Sequence, residues 1–469
     1  MTTCCTYPME IEARIARVQA NLKPPAQLNS STITMTLAER MKQVDVPGVS
    51  VAVINEGQVE WARGFGSAEI GTGIPVTPDT LFQAASISKP VTSLITLRLV
   101  AEGVLDLDED VNRYLKSWKV PANGDWQPRI TLRLLMSHGA GTTIHGFPGY
   151  PRDRALPGLL QILSGAYPAN TRPVLVTALP GTQFRYSGGG TLVMQQLLQD
   201  VIGMQFPRLA MEMVLTPLGM EHSTFEQPLP DALQGKEAAG HGSCGEIIAG
   251  KWHVYPEMAA AGLWTTPSDL CRLIISVQQA RAGRPHPFLS REVVDTALAP
   301  QNDGLYGLGF RLEGTGSHLK FGHTGSNAGF RSYFVGYADH GLGACMMTNG
   351  DNGADICTEL RSSIGAEYGW AGFLPSMAGD RKDVDHLLHY YAGVYDLKPG
   401  ISLRVEAAGS HLLVTMCGQE PVAFVPDSET TFHSAVVNTV LKFEWTSEHR
   451  VAAAHLLQNG DELTANRRD

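Results

Sequence analysis

No stretch of about 18 uncharged apolar residues occurs in this 469-residue chain, so a membrane-spanning helix is not expected. The opening residues, MTTCCTYPMEIEARIARVQANLKPP, lack a basic segment followed by an apolar run. A secretory leader is therefore not expected either, and the chain reads as cytoplasmic. Cysteine is scarce: seven residues, at Cys4, Cys5, Cys244, Cys271, Cys345, Cys357 and Cys417. An odd, scattered set without a C-x-x-C pair argues against a disulfide scaffold or a zinc ribbon. The thiols read as reduced, and Cys4 and Cys5 as a loose chain tip. Positive charge is also short, 36 Lys and Arg against 46 Asp and Glu, which disfavours a nucleic-acid partner. H-E-x-x-H, G-x-x-x-x-G-K and G-x-S-x-G are all missing. Metalloprotease, P-loop and α/β-hydrolase chemistry thus lack their key residues. His386 and His389 lie near Asp385 without a third ligand cluster, so neither a metal nor any other cofactor is expected.

What is present suits a large folded protein. Apolar residues make up 43% and charged residues 17%, enough for extensive burial, and the length suggests two or three domains. Helical spacing marks 8–22 and 33–44. Val49–Ile54 reads as a strand, with Val59–Ala62 as its hairpin partner. A helix of apolar character is expected from Ser86 to Glu102, a short one over 130–137, a long loop over 138–155 and a buried helix over Thr191–Val201. Thr266-Pro267-Ser268-Asp269 is a helix start: a Thr cap, Pro in the first turn and an acid three residues on. Strands are expected at Gly307–Leu312, Leu319–Gly322, Phe330–Gly336 and Leu342–Thr348, then a helix over 354–369. Strands at both ends bracket a helical middle, the pattern of one α/β domain whose sheet draws on both ends. Residues 376–385 are polar and read as a linker, and short strand-like runs after them read as a small β-barrel or sandwich.

The residues that carry chemistry begin with Ser86-Ile87-Ser88-Lys89. Serine is a poor nucleophile until a base takes its proton. On a helix, residues three apart share a face, so Lys89 lies beside Ser86. Among Val91, Leu94, Ile95, Leu97, Leu99 and Val100, a lysine is desolvated and loses proton affinity. Backbone N–H groups at the helix start suit an oxyanion. S-x-x-K alone is weak, because Ser317-His318-Leu319-Lys320 fits too. That copy sits in a strand-like, Gly-flanked context and opens no helix, so it is set aside.

Two further motifs follow in order: Tyr186-Ser187-Gly188, about one hundred residues downstream, and His323-Thr324-Gly325 on a strand near the end of the domain. Together the three resemble the motifs of serine β-lactamases and penicillin-recognising enzymes. The branch of class C β-lactamases, D-alanyl-D-alanine peptidases, D-aminopeptidases and family VIII esterases matches best. The resemblance spans roughly 35–370 and includes Leu135-Met136-Ser137-His138-Gly139-Ala140-Gly141 and Tyr306-Gly307-Leu308-Gly309-Phe310. The C-terminal segment, opening at Tyr391-Ala392-Gly393-Val394-Tyr395, resembles the lipocalin-like domains of some D-aminopeptidase-type members.

The resemblance implies a β-lactamase-like antiparallel sheet flanked by helices, with a helical subdomain, followed by a small all-β lipocalin-like barrel. The expected divisions are a helical extension over 1–32, the hydrolase domain over 33–375, the linker over 376–385 and the barrel over 386–469. It implies Ser86 as the acylated nucleophile, with Lys89 and Tyr186 sharing proton transfer. Either Lys89 is neutral or Tyr186 is ionised when Ser86 loses its proton. The oxyanion hole comes from the N–H groups of Ser86 and Ser326, and Gly325 keeps the strand open to substrate. His323, Thr324, Gly325, Gly188 and His145 are expected at the substrate. Tyr255-Pro256-Glu257 and Trp264 are either a cleft wall or core. Two departures stand out: Gly188 replaces the usual Asn, and His323 the usual Lys. Both argue against efficient β-lactam turnover. His323 is expected to titrate near neutrality and to add an inflection near pH 6–7 for anionic substrates. The function implied is cleavage of an amide or ester, on a small-molecule or peptide substrate, through acyl-Ser86. The alternatives are an acyltransferase on the same scaffold and a non-catalytic penicillin-binding sensor. The sequence is silent on oligomeric state.

Overall fold

Both ends of the larger unit contribute strands to one sheet, because the runs richest in β-branched and aromatic residues lie on either side of a helical middle. The computed structural model describes residues 6–22, 34–301, 306–370, 384, 387–398, 401–416, 421–426, 428–434, 439–446, 450–458 and 461–468. They fall into two compact units, one running to Leu22 and resuming at Met35 as far as Trp370, the other taking Thr34 and the residues from Val384 on. Cys4, Cys5, His386 and all but Val384 of the expected linker lie outside the described residues.

The larger unit opens with α1 (Thr6–Ala20) and α2 (Leu37–Gln43), followed by the hairpin β1 (Gly48–Asn55) and β2 (Gln58–Gly66). Next come β3 (Phe82–Ala85), α3 (Ser88–Ala101), α4 (Gly188–Ile202), α5 (Met258–Ala261), β4 (Leu263–Thr265) and α6 (Pro267–Arg281). The sheet is completed by β5 (Arg311–Glu313), β6 (Lys320–Asn327), β7 (Phe330–Tyr337) and β8 (Gly343–Thr348), and α7 (Gly353–Tyr368) follows. Six strands pair antiparallel in the order β2-β1-β8-β7-β6-β5. Val49, Val51, Ala52, Val53 and Ile54 are all buried, as expected of a strand covered on both faces. Cys345 of β8 meets Cys271 of α6 on one face, with the sulfurs 3.6 Å apart. On the other face Arg361 of α7 lies 5.5 Å from the Tyr333 ring. Two cysteines that look scattered in sequence are thus neighbours, both as free thiols.

Several expected elements shift, among them the helix expected over 33–44, which starts only at Leu37 behind a Thr36 cap. The helix expected from Ser86 starts at Ser88, leaving Ser86 and Ile87 in a turn. The helix expected from Thr191 begins three residues earlier, at Gly188. The strand expected at Gly307 begins only at Arg311, because Leu308 and Gly309 donate to Ala297 and Met136 instead of to the sheet. The start at Thr266 is as read: its hydroxyl accepts from the Asp269 N–H.

The smaller unit is a closed barrel of eight antiparallel strands, from Gly393–Lys398 to Asp461–Arg467. Alternate residues such as Leu403, Val405, Leu412, Phe432, Leu441 and Phe443 are buried in its core. Tyr391 stacks on Phe443 with centroids 4.4 Å apart, so large side chains fill the barrel. No helix among the described residues is long and apolar enough to cross a membrane.

Candidate active site

β3 ends at Ala85 in the left-handed region, with φ of 50°, and this kink turns the chain into Ser86. The turn is held by Ser88, whose hydroxyl donates to Ala85 O at 2.6 Å and accepts from Leu263 N–H at 3.0 Å. Ser86 is half-exposed, while Ser88 and Lys89 are buried. Lys89 N–H donates to Ser86 O at 3.0 Å, so the two residues still share a face although Ser86 precedes the helix.

Lys89 Nζ lies 2.9 Å from Ser86 Oγ and 2.9 Å from the Ala260 carbonyl. No carboxylate pairs with it among the described residues. Burial alone lowers its pKa to about 7. In the neutral form, one N–H can stay on Ala260 O while the lone pair faces the Ser86 hydroxyl.

Tyr186 precedes α4, whose cap is Ser187 accepting from Gly190 N–H. Its ring lies 5.0 Å from Lys89 Nζ and packs against His138 at 4.3 Å, His145 at 4.9 Å, His323 at 6.0 Å and Tyr306 at 6.2 Å between centroids. Desolvation, with a smaller contribution from Tyr306, raises the phenol pKa far above its ordinary value. Of the two states expected from sequence, this burial disfavours the ionised tyrosine.

β6 closes the site. A Cβ on Gly325 would come 2.1 Å from both Ala84 O and Ser332 Oγ, so glycine here admits β3 rather than substrate. That close approach packs the strand of Ser326 against the strand that leads into Ser86. Asn327 reinforces it, donating to Gln83 at 2.8 Å and Ala261 O at 3.1 Å. Thr324 and Ser326 are exposed, whereas His323 points to the other face of the strand and is buried. His323 Nδ1–H donates to Thr324 O at 2.6 Å, and Nε2 is enclosed without a hydrogen bond. Burial, reinforced by Lys89, lowers its pKa to about 3. The expected titration near neutrality is thus corrected: burial, with the positive charges of Lys89 and Arg311, holds the His323 pKa well below the neutral range.

Gly188 is buried, and a Cβ there would come 2.8 Å from the Phe147 ring. It admits the loop that carries His145, which is exposed against Tyr186. Tyr255 and Trp264 are fully buried and belong to the core. Ser317 is exposed in a short 3-10 turn, and Lys320 lies 3.7 Å from Glu313, so the second S-x-x-K pair is not a site.

Three residues were not foreseen in these roles. His138, with φ of 58°, braces Tyr186 and accepts from Ser187 N–H at 3.3 Å. Its membership in the Ser137-His138-Gly139 loop was the available signal. Arg311 lines a small pocket with His323, Thr324 and Tyr333. Its charge disfavours protonation of His323, and among the described residues its guanidinium makes no hydrogen bond or ion pair within 4 Å. Glu257 is fully buried just before α5, with neither oxygen hydrogen-bonded, and burial raises its pKa to about 8.

The fold and the grouping of Ser86, Lys89 and Tyr186 resemble those of the penicillin-recognising class. A model of the beta-lactamase family matches residues 33–364, and the chain belongs to that family. It is 25% identical to a D-aminopeptidase of Gluconobacter oxydans over 77% of this chain and 65% of that protein. It is also 25% identical to a beta-lactamase of Pseudomonas fluorescens over 68% of this chain and 92% of that one. Protein flp of Staphylococcus aureus is 26% identical, with 60% of its length covered. The chain thus spans less than two thirds of two of these relatives. Among solved structures, the octameric penicillin-binding protein homologue from Pyrococcus abyssi superposes over 91% of this chain and 98% of that one. Its TM-score is 0.61 at 21% identity. A beta-lactamase/D-alanine carboxypeptidase from Pseudomonas syringae covers 70% of this chain and 96% of its own, with a TM-score of 0.56 at 21% identity. These two likenesses concern the fold.

Two outcomes follow. The rate of Ser86 labelling by an uncharged fluorophosphonate is expected to rise with pH and level off above about 7, as Lys89 becomes neutral. A carboxylate-bearing penicillin should show the same profile. A further inflection between about pH 5 and 8 with penicillin alone would contradict a neutral His323.

Glu257 has a folded pKa above its ordinary 4.5, so folding takes up a proton between that value and about 8. Stability is lost as pH rises through this window. Glu257→Gln is expected to match the wild type at pH 4 and to melt about 2 °C or more above it at pH 8. Calorimetry at the two pH values checks this, and equal melting differences at both would refute it.

Proposed function

We propose that this protein cleaves an ester or amide through an acyl-Ser86 intermediate. The observation that carries the reading is a buried lysine amine 2.9 Å from a half-exposed serine hydroxyl, with a carbonyl rather than an acid as its other partner. Lys89 takes the Ser86 proton as Oγ bonds to the substrate carbonyl carbon. The oxyanion settles on the N–H groups of Ser86 and Ser326. As the tetrahedral adduct collapses, Tyr186 gives its proton to the leaving oxygen or nitrogen and regains one from the Lys89 ammonium. Water then attacks the acyl carbon, its proton passes to the same amine, and Ser86 leaves reprotonated.

The substrate class we infer is an acyl compound bearing a carboxylate. A neutral His323 cannot attract an anion, but Arg311 lines the same pocket as Thr324, half-buried and with no hydrogen bond or ion pair within 4 Å among the described residues, Glu313 of that pocket lying within its field. A guanidinium so placed can hold a carboxylate by a two-pronged hydrogen bond. Gly188 offers no side-chain amide to the substrate, and β-lactams are accordingly expected to be poorer substrates than short esters.

Ser86→Ala is expected to abolish turnover and fluorophosphonate labelling, while Ser317→Ala keeps both. Intact-mass measurement decides, and an adduct that persists in Ser86→Ala would sink the assignment.

Arg311→Gln is expected to lower the ratio of kcat/KM for a carboxylate-bearing ester over its neutral analogue by about tenfold or more. An unchanged ratio would remove Arg311 from substrate recognition.

A further inference from the structure

The loop before Tyr150 is clamped by the first turn of α4. Ser187 Oγ donates to Thr143 O at 2.7 Å, Gly189 N–H to Ile144 O at 3.0 Å and Gly188 N–H to His145 O at 3.0 Å. N–H groups at a helix start have no partner within the helix, and here two of them hold successive carbonyls of one loop. Its far end is held as well, since His253 Nδ1–H donates to Pro148 O at 2.9 Å. The clamp forces Ile144 to φ of 65°. A β-branched residue rarely adopts that conformation, so the loop is strained into one shape.

That shape delivers two flat side chains to the cleft. The His145 ring lies 4.9 Å from the ring of Tyr186, and Phe147 covers Gly188 closely enough to bar any side chain there. The three clamped carbonyls already accept hydrogen bonds, and Phe147 has no polar atom. His145 is exposed and Phe147 half-buried, so both present ring surface at the rim. This flank differs in chemistry from the Arg311 and Thr324 pocket.

We propose that Phe147 and His145 form a flat, ring-lined subsite beside Tyr186 that takes an aromatic group of the substrate. The proposal rests on the acyl-Ser86 reading. An aryl group lying there would gain ring contact with Phe147, His145 and Tyr186.

Two ester series test it. One keeps acetyl as the acyl group and compares phenyl with ethyl as the alcohol. The other keeps p-nitrophenol and compares phenylacetyl with acetyl. Wild type is expected to favour the aromatic member in one series. Phe147→Ala should lower that kcat/KM ratio about tenfold. Phe147→Leu, which keeps apolar volume but not the flat face, should lower it less and guards against misfolding of the smaller variant. Fluorophosphonate labelling at Ser86 certifies that each variant is folded. If both ratios stay unchanged in labelled variants, the subsite is overturned. If wild type itself fails to acylate at Ser86, the catalytic reading fails first, and the mass spectrum separates that result from loss of the subsite.

Discussion

One buried amine governs the chemistry of this fold. Lys89 has the Ala260 carbonyl and the Ser86 hydroxyl as its hydrogen-bond partners, and no carboxylate steadies its charge. An ammonium in that position is costly, so burial brings the pKa of the group down to about 7. Much of the larger unit maintains that condition. α3 is buried almost all round, α5 supplies the carbonyl, and the ring of Tyr186 covers the amine. The same amine helps keep His138 and His323 neutral, so the site holds one switchable proton acceptor among fixed neutral groups.

Strain gathers where this machinery is assembled. Ala85, His138 and Ile144 all adopt left-handed backbone, and each borders a working side chain: Ser86, Tyr186 and His145. Such conformations persist only where surrounding contacts over-determine them. Those contacts are on hand: Ser88 locks the first turn, Ser187 N–H binds the second ring, and the start of α4 clamps the third. Glycine does related work at Gly325, where the absence of a side chain lets β6 meet β3 and brings Ser326 toward Ser86. The energy for these arrangements comes from the continuous core around Phe82, Ile95, Leu197 and Trp264.

Membership of the beta-lactamase family leaves the substrate open, because one scaffold serves many acyl chemistries. The distinguishing features lie around the reacting atoms. The third motif carries a neutral imidazole turned inward, while positive charge moves to Arg311 on the neighbouring strand. The flank beside Tyr186 carries a phenyl ring where a side chain at 188 would otherwise stand.

Local sequence determined a good deal. The Thr266 cap, the β1–β2 hairpin, the helices and most sheet strands follow from spacing and turn chemistry, which act over a few residues. Ser86, Lys89 and Tyr186 were legible because their order along the chain is a recognisable pattern. What stayed hidden depends on contacts between distant segments. That Ser86 sits in a turn rather than in the helix follows from Ser88 bonding Leu263, far along the chain. That Gly307–Phe310 is no strand follows from backbone bonds to Ala297 and Met136. The lowered pKa of His323, the raised pKa of Tyr186 and the place of Arg311 depend on burial and on neighbours from other strands and loops. Sequence alone determined which groups are available to react. Tertiary structure decided their protonation and reach, because desolvation and Coulomb energy depend on what is packed around a group and not on what precedes it.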